Sequence, residues 1–189
     1  MLSKRDRILE AAEKIVVLNG FDGLSMQLIA KEAGISAGTI YLHFTCKDDL
    51  IISLREKVIT TISQKVLGGI KSENSSWDNY RIVWFNILTL AKERNADQLS
   101  FEQYLKIPGT SDEKSNEYEK LLFSPLYDLY QKAIIKGEII DIGINYLIAL
   151  SLESAVALAR YLRRDAIEYD AIQLNEICRL SWRAICVNK

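Results

Sequence analysis

Hydroxyl, imidazole and amine side chains are concentrated in one short segment, between Ser36 and Lys47. The segment contains no acidic residue, and it includes His43, the only histidine of the chain. Small residues at its start would let a helix backbone approach another molecule closely, while hydroxyl and amine groups can reach phosphate oxygens or base edges. These residue types at helical spacing predict a helix that lies in a groove of duplex DNA.

Two short helices joined by a glycine turn are predicted to position this segment. Ser25 is a suitable N-cap for the first helix, because its hydroxyl can accept from backbone N–H groups one turn ahead. Gly34 follows the last periodic apolar residue, where a left-handed conformation ends a helix and glycine adopts it without strain. Ser36 can cap the second helix, whose Ile40 and Phe44 share one inward face.

The same residues resemble the signature of TetR-family transcriptional regulators. The resemblance rests on the run from Gly34 to Phe44, Gly-Ile-Ser-Ala-Gly-Thr-Ile-Tyr-Leu-His-Phe, and on the Lys-Asp-Asp-Leu that begins at Lys47. Leu42 departs from the signature, because it is apolar where polar or aromatic residues are common. The resemblance and the outward face of the second helix together give these expected DNA contacts: Ser25, Ser36, Ala37, Gly38, Thr39, Tyr41, His43 and Lys47.

Composition favours an all-α fold. The chain has 189 residues, of which 49% are hydrophobic and 26% are charged, as in ordinary soluble globular proteins. Two prolines, nine glycines and no turn-bounded alternation of β-branched residues argue against a sheet. We predict a three-helix helix-turn-helix domain at residues 1–47 and a larger helical domain for effector binding and dimerisation at residues 48–189. Without a signal peptide or a membrane-spanning run, the expected location is the cytoplasm.

Charge argues less clearly for DNA binding. Residues 1–50 contain six Lys and Arg residues against seven acidic ones, a net charge of −1 rather than the basic excess typical of such modules. Lys4, Arg5 and Arg7 cluster at the start of the first predicted helix, where either a nearby phosphate or solvation would explain them. We therefore expect modest non-specific affinity and reliance on two linked half-sites.

No residue pattern predicts an enzyme, a metal site or a cofactor. There is one histidine, no phosphate-cradling glycine loop and no cysteine spacing typical of metal ligands. The three cysteines, Cys46, Cys178 and Cys186, are expected to be reduced thiols. The eight-residue separation of the last two leaves a redox sensor as an alternative.

Beyond Leu50 the chain is predicted to continue as a series of helices. A polar loop is predicted at Ser72–Ser76, a break at Ile107–Ser111, a kink at Pro125 and a helix end at Gly137. The predicted helices are Leu50–Leu67, Trp77–Arg94, Asp97–Lys106, Glu113–Lys136, Ile144–Arg163 and Ala166–Val187.

The last two predicted helices carry apolar residues on two sides, which implies burial on both. They are either central core helices or the two faces of a four-helix interface with a second subunit. The family resemblance implies the second, since members usually dimerise through their last two helices. The candidate interface residues are Leu150, Ser154, Leu158, Leu174, Ile177, Cys178 and Trp182.

A small-molecule effector is implied by the resemblance alone. Aromatic residues of the larger domain could line its pocket, although each could equally be a core residue. These candidates are Trp84, Phe85, Phe101, Tyr104, Tyr118, Phe123, Tyr127 and Tyr130.

The resulting functional hypothesis is a dimeric repressor that an effector releases from a palindromic operator, with half-sites about 34–36 Å apart. One alternative is an effector-independent DNA-bound protein of another process, such as chromosome organisation. The other is a helical interaction protein whose helix-turn-helix no longer binds DNA, which only the acidity of the first fifty residues favours.

Overall fold

The computed structural model of the chain describes residues 3–92, 99, 101–104, 107, 113–165 and 170–187. Within these ranges the chain forms helices without a strand, which confirms the all-α prediction. The only extended pairing found there is an isolated antiparallel bridge between Ile139 and Cys186. The helices are α1 (Lys4–Asn19), α2 (Met26–Ala33), α3 (Ala37–Tyr41), α4 (Lys47–Leu67), α5 (Ser76–Lys92), α6 (Phe101–Tyr104), α7 (Glu113–Leu122), α8 (Ser124–Ile135), α9 (Ile144–Ser151), α10 (Glu153–Asp165) and α11 (Ala171–Arg183).

Backbone contacts divide the chain into two compact units. The first unit comprises Met1–Ile62 and Arg94–Glu119, and the second comprises Ser63–Glu93 and Lys120–Lys189. The predicted boundary after residue 47 is a functional one, between DNA binding and effector binding. Packing does not test a functional boundary, so this boundary stays a prediction.

The first unit is built on the contact of α1 with α2 and of α2 with α3. A capping box starts α1, in which the Ser3 hydroxyl accepts from the Asp6 N–H at 3.1 Å and the Asp6 carboxylate accepts from the Ser3 N–H at 3.3 Å. The hydrogen bond from the Ser3 side chain lowers the pKa of Asp6. Apolar residues at helical spacing, including Ile8, Ala12 and Ile15, bury one side of α1.

The second unit is organised around α5, which contacts α8, α10 and α11. Buried aromatic residues of this core form hydrogen bonds with serine hydroxyls through their polar atoms. The Tyr80 hydroxyl lies 2.8 Å from Ser181 Oγ, and Trp84 Nε1 donates to Ser154 Oγ at 2.9 Å. The core therefore satisfies the polar ends of its large side chains within the chain.

The predicted helix over Glu113–Lys136 is two helices, α7 and α8, because the helix breaks at Phe123. Pro125 lies in the first turn of α8, so the prediction of a kink within one continuous helix was wrong. Proline is accommodated at that position because the N–H that it lacks has no partner inside the helix. Gly137 ends α8 with a φ of 66°, as predicted.

The predicted helix over Ile144–Arg163 is also divided, into α9 and α10, with Leu152 between them. The Ser151 hydroxyl donates to the Leu147 carbonyl at 2.6 Å, and the Ser154 hydroxyl donates to the Ser151 carbonyl at 2.6 Å. Serine side chains that bond to preceding carbonyls compete with the helical N–H groups and bend the helix.

The last helix begins later than predicted. Asp170 is its N-cap, accepting from the Gln173 N–H at 2.7 Å, while the Gln173 side chain accepts from the Asp170 N–H at 3.2 Å. Residues 166–169 of the predicted helix lie outside the described residues. In the part of the chain that the structure describes, no helix is both long enough and apolar enough to cross a bilayer.

Candidate DNA-binding surface

The turn between α2 and α3 has the geometry that the sequence predicts. The Ser25 hydroxyl accepts from the Leu28 N–H at 3.2 Å and caps α2. Gly34 ends that helix in the left-handed region, with φ 65° and ψ 40°. The Ser36 hydroxyl then accepts from the Thr39 N–H at 3.2 Å and caps α3. All three predictions of local structure are confirmed.

Helix α3 and the turn that follows it bury one face and expose the other. Ile40 is fully buried and Phe44 is 1% exposed, whereas Tyr41 is 56% and Leu42 is 82% exposed. We call the outward-facing set the recognition surface; it consists of Ser36, Ala37, Gly38, Thr39, Tyr41, Leu42 and His43. Ser36, Gly38 and His43 are exposed, and Ala37 and Thr39 are half-buried. Ser25 and Lys47, which flank the recognition surface in sequence, are exposed as well.

Two arginines of α1 hold this surface in place. Arg7 Nη2 donates to the Ala33 carbonyl at 2.8 Å and so satisfies a carbonyl at the C-terminal end of α2. Arg5 lies over the Phe44 ring, 5.1 Å from its centroid, and donates to Ser53 Oγ at 2.8 Å. Two members of the basic cluster that the sequence left to phosphate or solvent, Arg5 and Arg7, therefore have a structural role within the chain.

Several acidic residues of this unit are engaged within the chain. Glu32 pairs with Lys14 at 2.6 Å, both partly exposed. Asp49 accepts from the Thr45 N–H at 2.8 Å at the start of α4. These carboxylates have their charge satisfied locally, which reduces their repulsion of a nearby phosphate.

Three lysines are also available for phosphate contact. Lys4, Lys31 and Lys47 are exposed, and among the described residues none of them has an ion-pair partner. An ammonium group on a flexible stem can follow the phosphate backbone without a fixed geometry. These lysines add to the positive charge of Arg5 and Arg7, which are also exposed and whose bonds to a hydroxyl and a carbonyl leave their charge in place.

A buried carboxylate connects α1 to two other parts of the first unit. Glu13 is 7% exposed, accepts from Lys57 Nζ at 3.1 Å and accepts from the Leu99 N–H at 3.0 Å. Sequence reasoning missed this residue. Its position between Ala12 and Ile15 in the apolar stripe of α1 is the signal that could have indicated a buried carboxylate with a partner.

Sequence comparison identifies the family. A family model described as bacterial regulatory proteins of the tetR family matches residues 8–54, which include the whole recognition surface. A second, described as a tetracyclin repressor-like C-terminal domain, matches residues 76–186. The chain belongs to the TetR family.

Individual relatives extend over nearly the whole TetR-family chain. An uncharacterized HTH-type transcriptional regulator of Haemophilus influenzae is 27% identical over 181 residues, which cover 95% of this chain and 94% of the relative. A solved TetR-family structure from Vibrio parahaemolyticus is 32% identical, with a TM-score of 0.87 and coverage of 98% and 100%. A TetR-family structure from H. influenzae is 26% identical, with a TM-score of 0.81 and 97% coverage of both chains. This TetR-family protein is accordingly a DNA-binding transcriptional regulator.

The effector candidates of this TetR-family regulator are divided between the two units. In the first unit, the buried Tyr104 donates to the carboxylate of Glu119, and the half-buried Tyr118 lies 2.9 Å from the Thr60 hydroxyl. Burial raises the pKa of Tyr104 well above its usual range, so the phenol is neutral at any physiological pH. Phe101 belongs to α6, but its side chain lies outside the described residues.

In the second unit, two of the five candidates are core residues. Trp84 and Tyr130 are fully buried, and the Tyr130 hydroxyl lies 2.7 Å from Ser151 Oγ. Burial raises the pKa of Tyr130 far above its usual range. Phe85, Phe123 and Tyr127 are half-buried and remain accessible.

A cleft of about 170 Å³ lies in the second unit, between the start of α5 and one side of α8. Most of the residues that line it are polar or charged, among them Lys71, Asn79 and Lys132, and none of the aromatic candidates lines it. Sequence reasoning did not identify this cleft.

The interface candidates differ in accessibility. Leu150 is 55% exposed, and Ser154, Leu158, Leu174 and Ile177 are half-buried. Cys178 is fully buried, and Trp182 is 9% exposed and packs 4.7 Å from the Tyr80 ring. Cys178 and Trp182 thus face the core of the second unit, because α11 turns this side toward α5.

Cys178 and Cys186, the pair for which a redox role was an alternative, lack the environment of a reactive thiol. Burial raises the pKa of Cys178 to about 12 and also raises the pKa of the half-buried Cys186, so both thiols stay protonated at neutral pH. Cys46 is exposed. Among the described residues, no three His, Cys, Asp or Glu side chains converge as metal ligands would.

Proposed function

We propose that this TetR-family regulator is a homodimeric repressor, which a small-molecule effector releases from a palindromic operator. The observation that carries the DNA contacts is the recognition surface, a capped helix face that is open to solvent and free of acidic side chains. Small residues at its start favour close approach to base edges, and flanking hydroxyl and amine groups favour phosphate contacts. Ser25, Ser36, Ala37, Gly38, Thr39, Tyr41, His43 and Lys47 are the proposed contacts.

The phosphate role of Lys47 can be tested by salt titration of operator affinity. Selection from a random duplex library yields the operator. Fluorescence anisotropy then measures the dissociation constant between 50 and 300 mM salt, a range over which the Debye length falls about twofold. Lys47→Ala should reduce the slope of log affinity against log salt by about one for each copy of Lys47. Lys71→Ala, an exposed lysine of the second unit, is the matched control and should leave the slope unchanged. An unchanged slope in the Lys47 variant would remove this contact from the proposal.

Exposed apolar residues of the last helices support the dimer. Leu150, Tyr161, Ile172 and Leu180 are 55%, 54%, 80% and 55% exposed in the single chain. Apolar side chains grouped on neighbouring helices favour burial against a second copy, as in a four-helix interface. The proposed interface therefore keeps Leu150, Ser154, Leu158, Leu174 and Ile177, adds Ile172 and Leu180, and omits Cys178 and Trp182.

Sedimentation equilibrium tests the interface directly. Leu150→Asp should convert the dimer to a monomer at micromolar concentration, because an unpaired carboxylate would be buried between the subunits. Leu121→Asp is the control, since Leu121 is 70% exposed but lies on α7. A wild-type chain that sediments as a monomer, or a Leu150 variant that stays dimeric, would contradict the proposed interface.

The accessible aromatic residues Phe85, Phe123 and Tyr127 are the proposed contacts of the effector. Thermal-shift screening of apolar and aromatic compounds, followed by operator release, tests the effector response. A compound that raises the melting temperature and weakens operator binding supports release, since it must bind the two states unequally.

One observation favours the alternative of an effector-independent DNA-bound protein. Trp84 and Tyr130, two of the aromatic candidates, are fully buried with their polar atoms already bonded inside the chain. If many dispersed genomic sites are bound and no compound changes operator affinity, this alternative replaces the repressor.

A further inference from the structure

Leu42 is the most exposed large hydrophobic residue in the described part of the chain, with 82% of its surface accessible. Its neighbours still follow a helical path, because the Phe44 N–H donates to the Ile40 carbonyl at 2.9 Å. At about 100° per residue, Leu42 projects about 160° away from both Ile40 and Phe44, the two residues that anchor the helix. Leu42 therefore occupies the centre of the outward face.

Its neighbours on that face leave Leu42 uncovered. Gly38, one turn earlier, has no side chain, and a Cβ built there would meet nothing closer than Ser36 Oγ at 3.8 Å. Thr39 lies on the same side and keeps its hydroxyl 2.9 Å from the Ser36 hydroxyl. A molecule that approaches the centre of the recognition surface would meet an aliphatic side chain first.

The residue types nearby restrict what this surface can read in DNA. In the major groove, Arg and Lys typically read guanine, Asn and Gln read adenine, and Asp and Glu accept from cytosine. None of these six residue types occurs between Ser36 and Cys46. The remaining base feature that an aliphatic side chain can recognise is the 5-methyl group of thymine.

We infer that Leu42 is a specificity-determining residue, whose side chain packs on the 5-methyl group of a thymine in each operator half-site. The inference rests on the proposed DNA-binding role of the recognition surface. It assigns to Leu42 a preference for one base, where the family resemblance gave that position no defined role.

Replacing thymine by deoxyuridine tests this contact, because the replacement removes the methyl group and leaves base pairing intact. Burial of one such group contributes about 0.8 kcal/mol, or about a fourfold change in affinity, so symmetric replacement in both half-sites should weaken binding about fifteenfold. Each thymine of the half-site is replaced in turn, and affinity is measured by anisotropy for the wild type and for Leu42→Ala.

The expected result is one thymine position at which the wild type loses about fifteenfold and Leu42→Ala changes by less than about twofold. Leu18→Ala is the matched control; Leu18 is 68% exposed at the end of α1, and its variant should keep the sensitivity of the wild type. Because Leu42 is exposed, its variant should keep the wild-type circular dichroism spectrum and melting temperature.

Two results would overturn the inference. One is a wild type that tolerates deoxyuridine at every position of an operator it binds specifically; the other is a Leu42→Ala variant that retains the full sensitivity. Either result would leave the proposed repressor function standing. Absence of any sequence-specific binding would overturn both.

Discussion

Among the described residues of the first unit are two Glu–Lys pairs that differ in burial, and we predict that burial rather than distance decides their contribution to stability. Glu13 and Lys57 lie 3.1 Å apart, with side chains 9% and 29% exposed. Glu32 and Lys14 are closer, at 2.6 Å, but their side chains are 37% and 45% exposed. Exposed pairs contribute about 0–1 kcal/mol, because water and salt screen the attraction and holding both side chains costs entropy.

Glu13→Ala should be strongly destabilising. It removes the acceptor of the buried Leu99 N–H, at a cost of about 1–3 kcal/mol, and it removes the partner of Lys57, whose partial exposure limits that loss to about 1 kcal/mol. We expect a total loss of about 3 kcal/mol. Glu13→Gln keeps an acceptor for Leu99 and should lose about 1 kcal/mol. Glu32→Ala, the matched control, should lose about 0.5 kcal/mol or less.

Urea denaturation followed by tryptophan fluorescence and circular dichroism measures these losses of stability and distinguishes the first unit from the second. The three tryptophans of the chain, Trp77, Trp84 and Trp182, all belong to the second unit, so fluorescence reports on that unit alone. Far-UV circular dichroism follows the helices of both. Amide hydrogen exchange at Leu99 should accelerate in Glu13→Ala and much less in Glu13→Gln. Equal losses in the variants at positions 13 and 32 would refute the reasoning from burial.

Two further predictions concern the turn and the thiols. Gly34→Ala should destabilise the chain by about 1–2 kcal/mol in thermal melting, because alanine is strained at a φ of 65°. Its Cβ would have room, since the nearest atom, Arg7 Nη2, lies 3.9 Å away. Gly34→Asn should lose less, and equal losses in the two variants would contradict this account. In the native protein, iodoacetamide at pH 8 should modify the exposed Cys46 within minutes and leave Cys178 unmodified until urea unfolds the chain. The reason is that burial shields the Cys178 thiol and raises its pKa to about 12. Rapid modification of Cys178 in the native protein, detected by mass spectrometry, would contradict this prediction.

Local structure was the most predictable part of the fold. Ser25, Gly34 and Ser36 each act on backbone groups within a few residues, so their roles could be read from residue type and spacing. The signal at Asp170 and Gln173 is of the same kind, and sequence reasoning could have used it to place the start of α11. The break at Leu152 was harder to predict from the sequence. The Ser151 hydroxyl bonds to the Leu147 carbonyl, but a serine at this position is also compatible with a continuous helix.

Long-range contacts were not predictable from a single sequence. The partner of Glu13 at Leu99 is 86 positions away, and nothing local to either residue indicates the other. The two apolar stripes of the last helices posed a similar problem. Periodicity shows that two sides are apolar, but it does not show that Cys178 faces the core of the chain while Ile172 faces outward.

The charge of the first helices shows why a net count is a weak predictor of DNA binding. Seven acids against six bases suggest repulsion, yet Glu13 and Glu32 are paired with lysines. Asp6 and Asp49 accept backbone N–H groups at helix starts, where the helix dipole already favours a negative charge. The field that a phosphate meets depends on the charges left unpaired on the approaching face, and there Lys47 has no acidic partner among the described residues. If two such modules are paired as we propose, weak attraction to DNA outside the reading helix would make specific contacts in two half-sites the main source of affinity.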